Sequence, residues 1–409
     1  MVFSPLATHF NSRPCTLPAG RLPVRVRRCA QGLACSALLL AGSSLSAWAL
    51  DKDDFLAKMN AAFAASDGQL TYSGAELDGG TLTLQGASMQ TGEQKVVLGD
   101  LIYSGISEAE GGGYIVERIS SEESRISDDD VEVVLEDVEL RGVRIPADAA
   151  MTGLDTMMVY DSFRTGRIVA RDDGSAIVSV ASISVDVERM GNNEGLTFTL
   201  TSEGVSVDTA VFEEAPARRV LTDLGYDALT GRTSTQGQWE AETGRVQIRD
   251  HVITVDGLGS VRLTADFTGY TPAFIAAMRD QSSAGDEASA MNLLGAMQQF
   301  NLQEAAVRFK DDSLTRQLLE YYGGKQGVSG EQMAEAAKAA APFMAAKLGI
   351  PELQKQITEA ANRFFDNPQS LTVTARPEKP VPFSQLLGTA MVAPRGLYEM
   401  LNVRVTAND

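Results

Sequence analysis

The chain has 409 residues, with 54 acids against 35 lysines and arginines, a net charge of −19, two histidines and three cysteines. That length supports two or three domains with substantial cores. The negative charge disfavours binding to nucleic acid and repels anionic lipid surfaces at long range.

The first 49 residues carry Arg13, Arg21, Arg25, Arg27 and Arg28 and no acid, then GLACSALLLAG from Gly32 to Gly42, then Ala47-Trp48-Ala49. Basic, apolar and small-x-small segments in that order predict a secretory signal peptide over 1–49, cleaved after Ala49. The apolar run is about half as long as a bilayer-spanning helix requires, so no retained transmembrane helix and a periplasmic location are expected. Cys15, Cys29 and Cys35 all precede the cut, which leaves the mature chain without disulfide, thiolate or cysteine-metal chemistry. His251 is the one mature histidine, so His-rich zinc sites are excluded too. Removing five arginines from 35 cations leaves 30 against 54 acids, a mature charge of −24.

A helix is predicted from about Asp53 to Ala65, with Phe55, Met59, Ala62 and Phe63 at helical spacing. From Gln69 to about Thr268 short alternating apolar runs separated by turn formers such as Asp78-Gly79-Gly80 predict a long antiparallel meander. In VEVVLEDVELRGVRIP, Val131 to Pro146, the alternation changes parity twice: Val133 and Leu135, then Val138 and Leu140, then Val143 and Ile145. Bulges near Glu136-Asp137 and Arg141-Gly142 would keep all six on one face. Val178 and Val180, then Ile183 and Val185, extend the pattern.

Two-residue turns are predicted at Ser202-Glu203, opposing Leu200 to Val205 and Phe198 to Val207. Another at Asp250-His251 opposes Ile248 to Ile253 and Val246 to Val255. Together these residues predict one continuous aliphatic face. A short helical insertion is expected near 216–230.

After Thr271-Pro272, a helix start, the chain becomes rich in Ala and Met. Helices are predicted around Phe274 to Met278 and Met291 to Met297. A strand with Val307 and Phe309 follows, then a helix with Leu314, Leu318 and Leu319 stopping at Gly323-Gly324. Ser329 and Gln332 form a capping box for a helix that Pro342 should kink or split. Pro351 opens a helix with the stripe Leu353, Ile357, Ala360, Ala361 and Phe364. A strand at Leu371 to Ala375, a short helix from Phe383 and a last strand near Val403 complete the chain. The fold class is α+β: a curved antiparallel meander over 50–270, groove-like or sandwich, then a helix-rich α+β module over 271–409.

Chemistry-bearing motifs are sparse. His251 at a turn tip lacks the cleft that a Ser-His-Asp triad needs, and no G-x-S-x-G, S-x-x-K, H-E-x-x-H or P-loop occurs. Asp128-Asp129-Asp130 lacks the EF-hand glycine and reads as a solvated loop. Gly257-Leu258-Gly259 precedes a strand and supplies no helix N-terminus for a phosphate. Met278, Met291, Met297, Met333 and Met344 suit an adaptable cavity, but their helical spacing favours core packing.

The meander, with LGYDALTGRTSTQGQWEAETGRVQI and VDGLGSVRLTADFTG, resembles secreted proteobacterial envelope proteins of AsmA-like style over about Leu70 to Gly269, most closely from Leu224 to Gly269. The tail SLTVTARPEKPVP with MLNVRVTAND is similar to tails of uncharacterised alphaproteobacterial secreted proteins. The resemblance implies phospholipid handling by a β-rich groove that holds acyl chains, although this chain is short and has no retained anchor.

The resulting expectation is a non-enzymatic envelope protein without a cofactor or metal, presenting its aliphatic face to lipid, another apolar ligand or an envelope partner. Two alternatives stand beside it: a structural or interaction protein whose core is fully covered, and a hydrolase using acidic residues.

Overall fold

A computed structural model describes residues 50–409 apart from 66–67, 92–93, 129, 150–152, 192–193, 213–215, 285–294 and 296. The predicted signal peptide lies outside the described residues, as do Met291 and Leu294. The fold is α+β, and the strand pairs are antiparallel. No described helix is long and apolar enough to cross a membrane. The chain divides into two compact units, 1–189 with 199–230, and 190–198 with 231–409. Residues 231–270, grouped with the meander by their texture, fall in the second unit.

The first unit opens with helix α1, Lys52–Ala64, whose N-cap Asp51 accepts hydrogen bonds from the backbone N–H groups of Asp53 and Asp54 at 3.1 Å each. Its strands are β1 (Gly68–Thr71), β2 (Gly74–Asp78), β3 (Thr81–Thr91), β4 (Gln94–Glu108), β5 (Tyr114–Asp128), β6 (Val131–Ile145), β7 (Ser162–Thr165), β8 (Ile168–Asp172), β9 (Ser175–Val180) and β10 (Ser182–Met190). Strand β3 pairs with β1, β2 and β4. The ladder continues through β5 to β6, which pairs with both β7 and β8. Strand β11, Gly195–Asp208, pairs with β9. Helix α2, Pro216–Asp223, is shorter than the predicted insertion, and β12, Ala228–Glu240, begins within the expected helical span.

The parity changes arise at residues in the left-handed region. Asp137 has φ +50° and Gly142 φ +61°. The predicted bulge positions do break the alternation, but not by an extra residue. Val131 faces Asp128 and Ile145 faces Tyr114, which is the same offset at both ends of the strand pair. Instead both strands reset together. Gly105, at φ +80°, and Gly142 lie on either side of Glu117, and Gly99, at φ +69°, stands against the Glu123 carbonyl. The resets thus form lines across the sheet, and each side chain beyond a line returns to the apolar face.

Two predicted hairpins are absent. Strand β11 runs unbroken through Ser202-Glu203, and left-handed Gly204 (φ +59°) supplies the parity change. Strand β13, Arg245–Val255, runs unbroken through Asp250-His251, with its register shifting between Ile248 and His251. A bulge and a tight turn produce the same local change of parity, and only the partner strand distinguishes them.

The second unit orders β12, β13, β14 (Gly259–Thr268), β15 (Asn301–Asp311), β16 (Ser370–Ala375) and β18 (Val403–Ala407) side by side, with β17 (Val381–Pro382) on the start of β15. Its helices are α3 (Pro272–Ala284), α4 (Leu314–Gln326), α5 (Gly330–Ala346), α6 (Pro351–Asp366), α7 (Phe383–Val392) and α8 (Gly396–Met400). Helix α4 passes through Gly323-Gly324 and ends at left-handed Gly327, so the expected stop lies one turn too early. Helix α5 carries Pro342 without splitting and has the predicted Ser329/Gln332 capping box.

Candidate functional site: an open apolar face

In the first unit the aliphatic face is closed by the protein itself. Val133, Leu135, Val138, Leu140, Val143 and Ile145 are only 1–7 % exposed and share one core with Phe55, Leu56, Met59 and Phe63 of α1. Phe55 packs edge-on to Tyr103 (5.8 Å between centroids) and Tyr114 (5.2 Å). Full burial of Phe55, Met59 and Phe63 is worth roughly 5–9 kcal/mol at ~1.5–3 kcal/mol each. Val178, Val180, Ile183 and Val185 pack at the margin of the same core. Leu200 and Val205 are half-buried.

The second unit differs. Register places Ile253 opposite Val261, Leu263 opposite Val307, Val307 opposite Val373 and Val373 opposite Val405, all on one side of the sheet. Ile253, Val261, Leu263, Val307 and Val373 are each 37–45 % exposed. Isolated exposed apolar residues are ordinary, but a contiguous in-register stripe is a candidate binding surface. The other side of the sheet is polar. Arg262 pairs with Asp250 at 3.1 Å, Arg308 with Asp409 at 2.9 Å and Arg245 with Asp266 at 2.8 Å. Burial pushes the Asp266 carboxyl up, yet the hydrogen bonds from Arg245 and Gln247 outweigh it and hold it below the usual range.

The stripe is covered at its ends. At one, Phe267, Phe274 and Phe383 surround Phe300 with centroids 4.6–5.4 Å away, and the Trp239 indole donates to the Tyr270 carbonyl at 2.8 Å. Val246 and Phe198 are buried in this unit, while Ile248 and Val255 are half-buried. At the other end Phe364 of α6 meets Phe309 at 6.3 Å and packs with Ala360 and Ala407. Phe364 also lines an open cleft of about 410 Å³ between α4, α5 and α6, with Leu318, Leu319, Tyr322, Met333, Ala337 and Phe365. Stripe and cleft therefore meet at the Phe309–Phe364 contact.

Of the polar candidates, His251 sits elsewhere than expected, while the acid run lies at a strand connection and Gly257-Leu258 in a turn before a strand, as read from the sequence. His251 is in mid-strand, opposite Leu263 and Thr235, with its Nδ1 2.9 Å from the Thr235 hydroxyl. It is not a turn-tip residue. As neighbours on a strand, His251 and Asp250 point to opposite faces. Asp128 faces Val131, so the acid run falls at the β5–β6 connection, and Asp129 lies outside the described residues. Gly259 belongs to strand β14, opposite Asp311. Among the described residues no group of three or more His, Cys, Asp or Glu side chains is placed to hold a metal. Of the methionines, Met333 lines the cleft and Met344 is exposed, contrary to the core packing expected of both.

Val261, Leu263, Val307 and Val373 were not among the residues expected on the aliphatic face, although the strands that carry them were expected. The signal was the alternation of β14, β15 and β16. Its register across the sheet was not readable from the sequence.

A family model described as an uncharacterized protein matches residues 252–408, which include all five stripe residues and every described helix of the second unit. No curated protein matches the chain.

Proposed function

We propose that this is a non-enzymatic envelope protein, exported by its N-terminal segment, whose second unit binds an apolar ligand of acyl-chain type. The observation that carries the proposal is the in-register stripe Ile253, Val261, Leu263, Val307 and Val373, left open on a sheet whose other face is ion-paired. The stripe continues into the apolar cleft at Phe364, and the cleft lining contains no carboxylate, which argues against acid-based hydrolysis there. His251 with Thr235 beside Leu263 gives the apolar surface one polar end, suited to an amphiphile's head group. The likeness of the strand texture to AsmA-like proteins supports a groove that holds acyl chains. Native mass spectrometry of protein purified from membranes, before and after delipidation, tests this. A co-purifying lipid lost on delipidation is the expected result, and bare protein in both samples contradicts it.

The first unit favours a second role. Closure of its face by α1 suits a scaffold or partner-binding body with a covered core.

A further inference from the structure

The four most exposed large apolar side chains among the described residues are Val392 (87 %), Met391 (86 %), Phe343 (76 %) and Met344 (61 %). They come from the C-terminal turns of α5 and α7. Gly349 follows α5 in the left-handed region (φ +67°), and the Arg395 guanidinium occupies the space a side chain would take, 2.6 Å from where a β-carbon would stand. That contact sets the end of α5 beside the turn that follows α7. The Gln354 amide donates to the Pro342 carbonyl at 3.1 Å and fixes the start of α6 to the same end.

The charge here is opposite to that of the chain as a whole. Residues 336–351 and 379–398 contain no acid, in a chain with 54; of their cations Lys338 is paired with Glu335 and Asp366, which leaves Lys347, Lys379 and Arg395. Lys347 and Arg395 are exposed beside the apolar residues. At physiological salt the acidic remainder is screened beyond about 8 Å, so the local cations govern close approach to a charged surface. Exposed aliphatic and aromatic side chains flanked by cations are the composition of an interfacial anchor.

We propose that this tip docks the second unit on a phospholipid bilayer bearing anionic head groups. Phe343, Met344, Met391 and Val392 enter the interface, and Lys347 and Arg395 meet the phosphates. The occupant is a lipid surface because exposed cations and exposed apolar side chains coincide at this tip.

Flotation of the full chain, purified after whatever processing the cell performs, tests this with vesicles of phosphatidylethanolamine mixed with phosphatidylglycerol. The wild type is expected to float. The F343S/M391S and K347E variants are expected to lose affinity by about tenfold or more, with circular-dichroism melting curves unchanged because all three positions are exposed. Phosphatidylcholine vesicles are expected to bind weakly. Three results would overturn the proposal: no flotation of the wild type, flotation of both variants like the wild type, or self-association through the tip without lipid. L263D separates this proposal from the ligand reading, since it should still float even where it no longer holds an acyl chain.

Discussion

The Tyr114 hydroxyl donates to Asp54 Oδ2 at 2.6 Å, joining the closing helix α1 to the strand whose far neighbour is β6. Lys58 donates to the same oxygen at 2.6 Å and lies 5.2 Å from the centre of the Tyr114 ring. The Lys58 hydrogen bond and then that of Tyr114 hold the Asp54 carboxyl below its ordinary value of 3.8. A lowered folded-state pKa gives stability that is present above the unfolded value and lost as pH falls through the folded one. D54N should therefore melt below the wild type at neutral pH, with the gap closing at acid pH. Thermal melts across that range check this, and a constant gap would contradict it. Y114F should cost about 1 kcal/mol.

Leu140 is 1 % exposed in the core that α1 covers. L140D buries a carboxylate without a partner and should cost about 4 kcal/mol or more, enough to unfold the first unit. Glu139, on the other face, bonds Arg118 at 2.6 Å and Arg141 at 2.5 Å, so E139A should cost only about 0.5–1 kcal/mol. Urea titration of both variants separates the two cases.

At the reset lines, a side chain at Gly142 would be strained at φ +61° and would collide with the Asp161 carboxylate. G142V should destabilise by about 2 kcal/mol or more, whereas D137G, which relieves a left-handed aspartate, should be neutral or slightly stabilising. A sheet with ordinary extended residues at both positions would show the reverse order.

Much of this architecture was legible because local chemistry decided it. Asp51 and the Phe55/Met59/Phe63 spacing sufficed for α1, and Pro351 with the Ile357/Phe364 stripe for α6. The parity changes in β6 also sat where the sequence put them. Long-range pairing was not legible. The alternation around Asp250-His251 fits a hairpin as well as a bulged strand, and the partners β12 and β14 decide for the strand. The site was half legible for the same reason. Burial or exposure of an aliphatic face depends on what covers it, and α1 covers β6 while Leu263 and Val307 stay 37 % and 44 % exposed.

Trp239 is fully buried in the second unit and is the sole tryptophan after Trp48. Its emission should therefore be blue-shifted and should report the unfolding of that unit alone. W239F, which removes the donor to the Tyr270 carbonyl, should cost about 1–3 kcal/mol. In L140D the Trp239 emission should remain native-like while far-ultraviolet circular dichroism falls.

The proposed function makes the stripe on β13 to β16 an acyl-chain surface. Titration with a fluorescent polyene fatty acid tests it, using the wild type and the L263D/V373D variant, whose two charges lie two strands apart. Both residues are already exposed, so the variant should keep its Trp239 emission and its melting transition. Saturable binding to the wild type is expected, with a loss of at least about tenfold in the variant, since each charge placed in the stripe opposes an apolar chain by more than about 1.4 kcal/mol. Equal binding by both proteins, or none by the wild type, would contradict it.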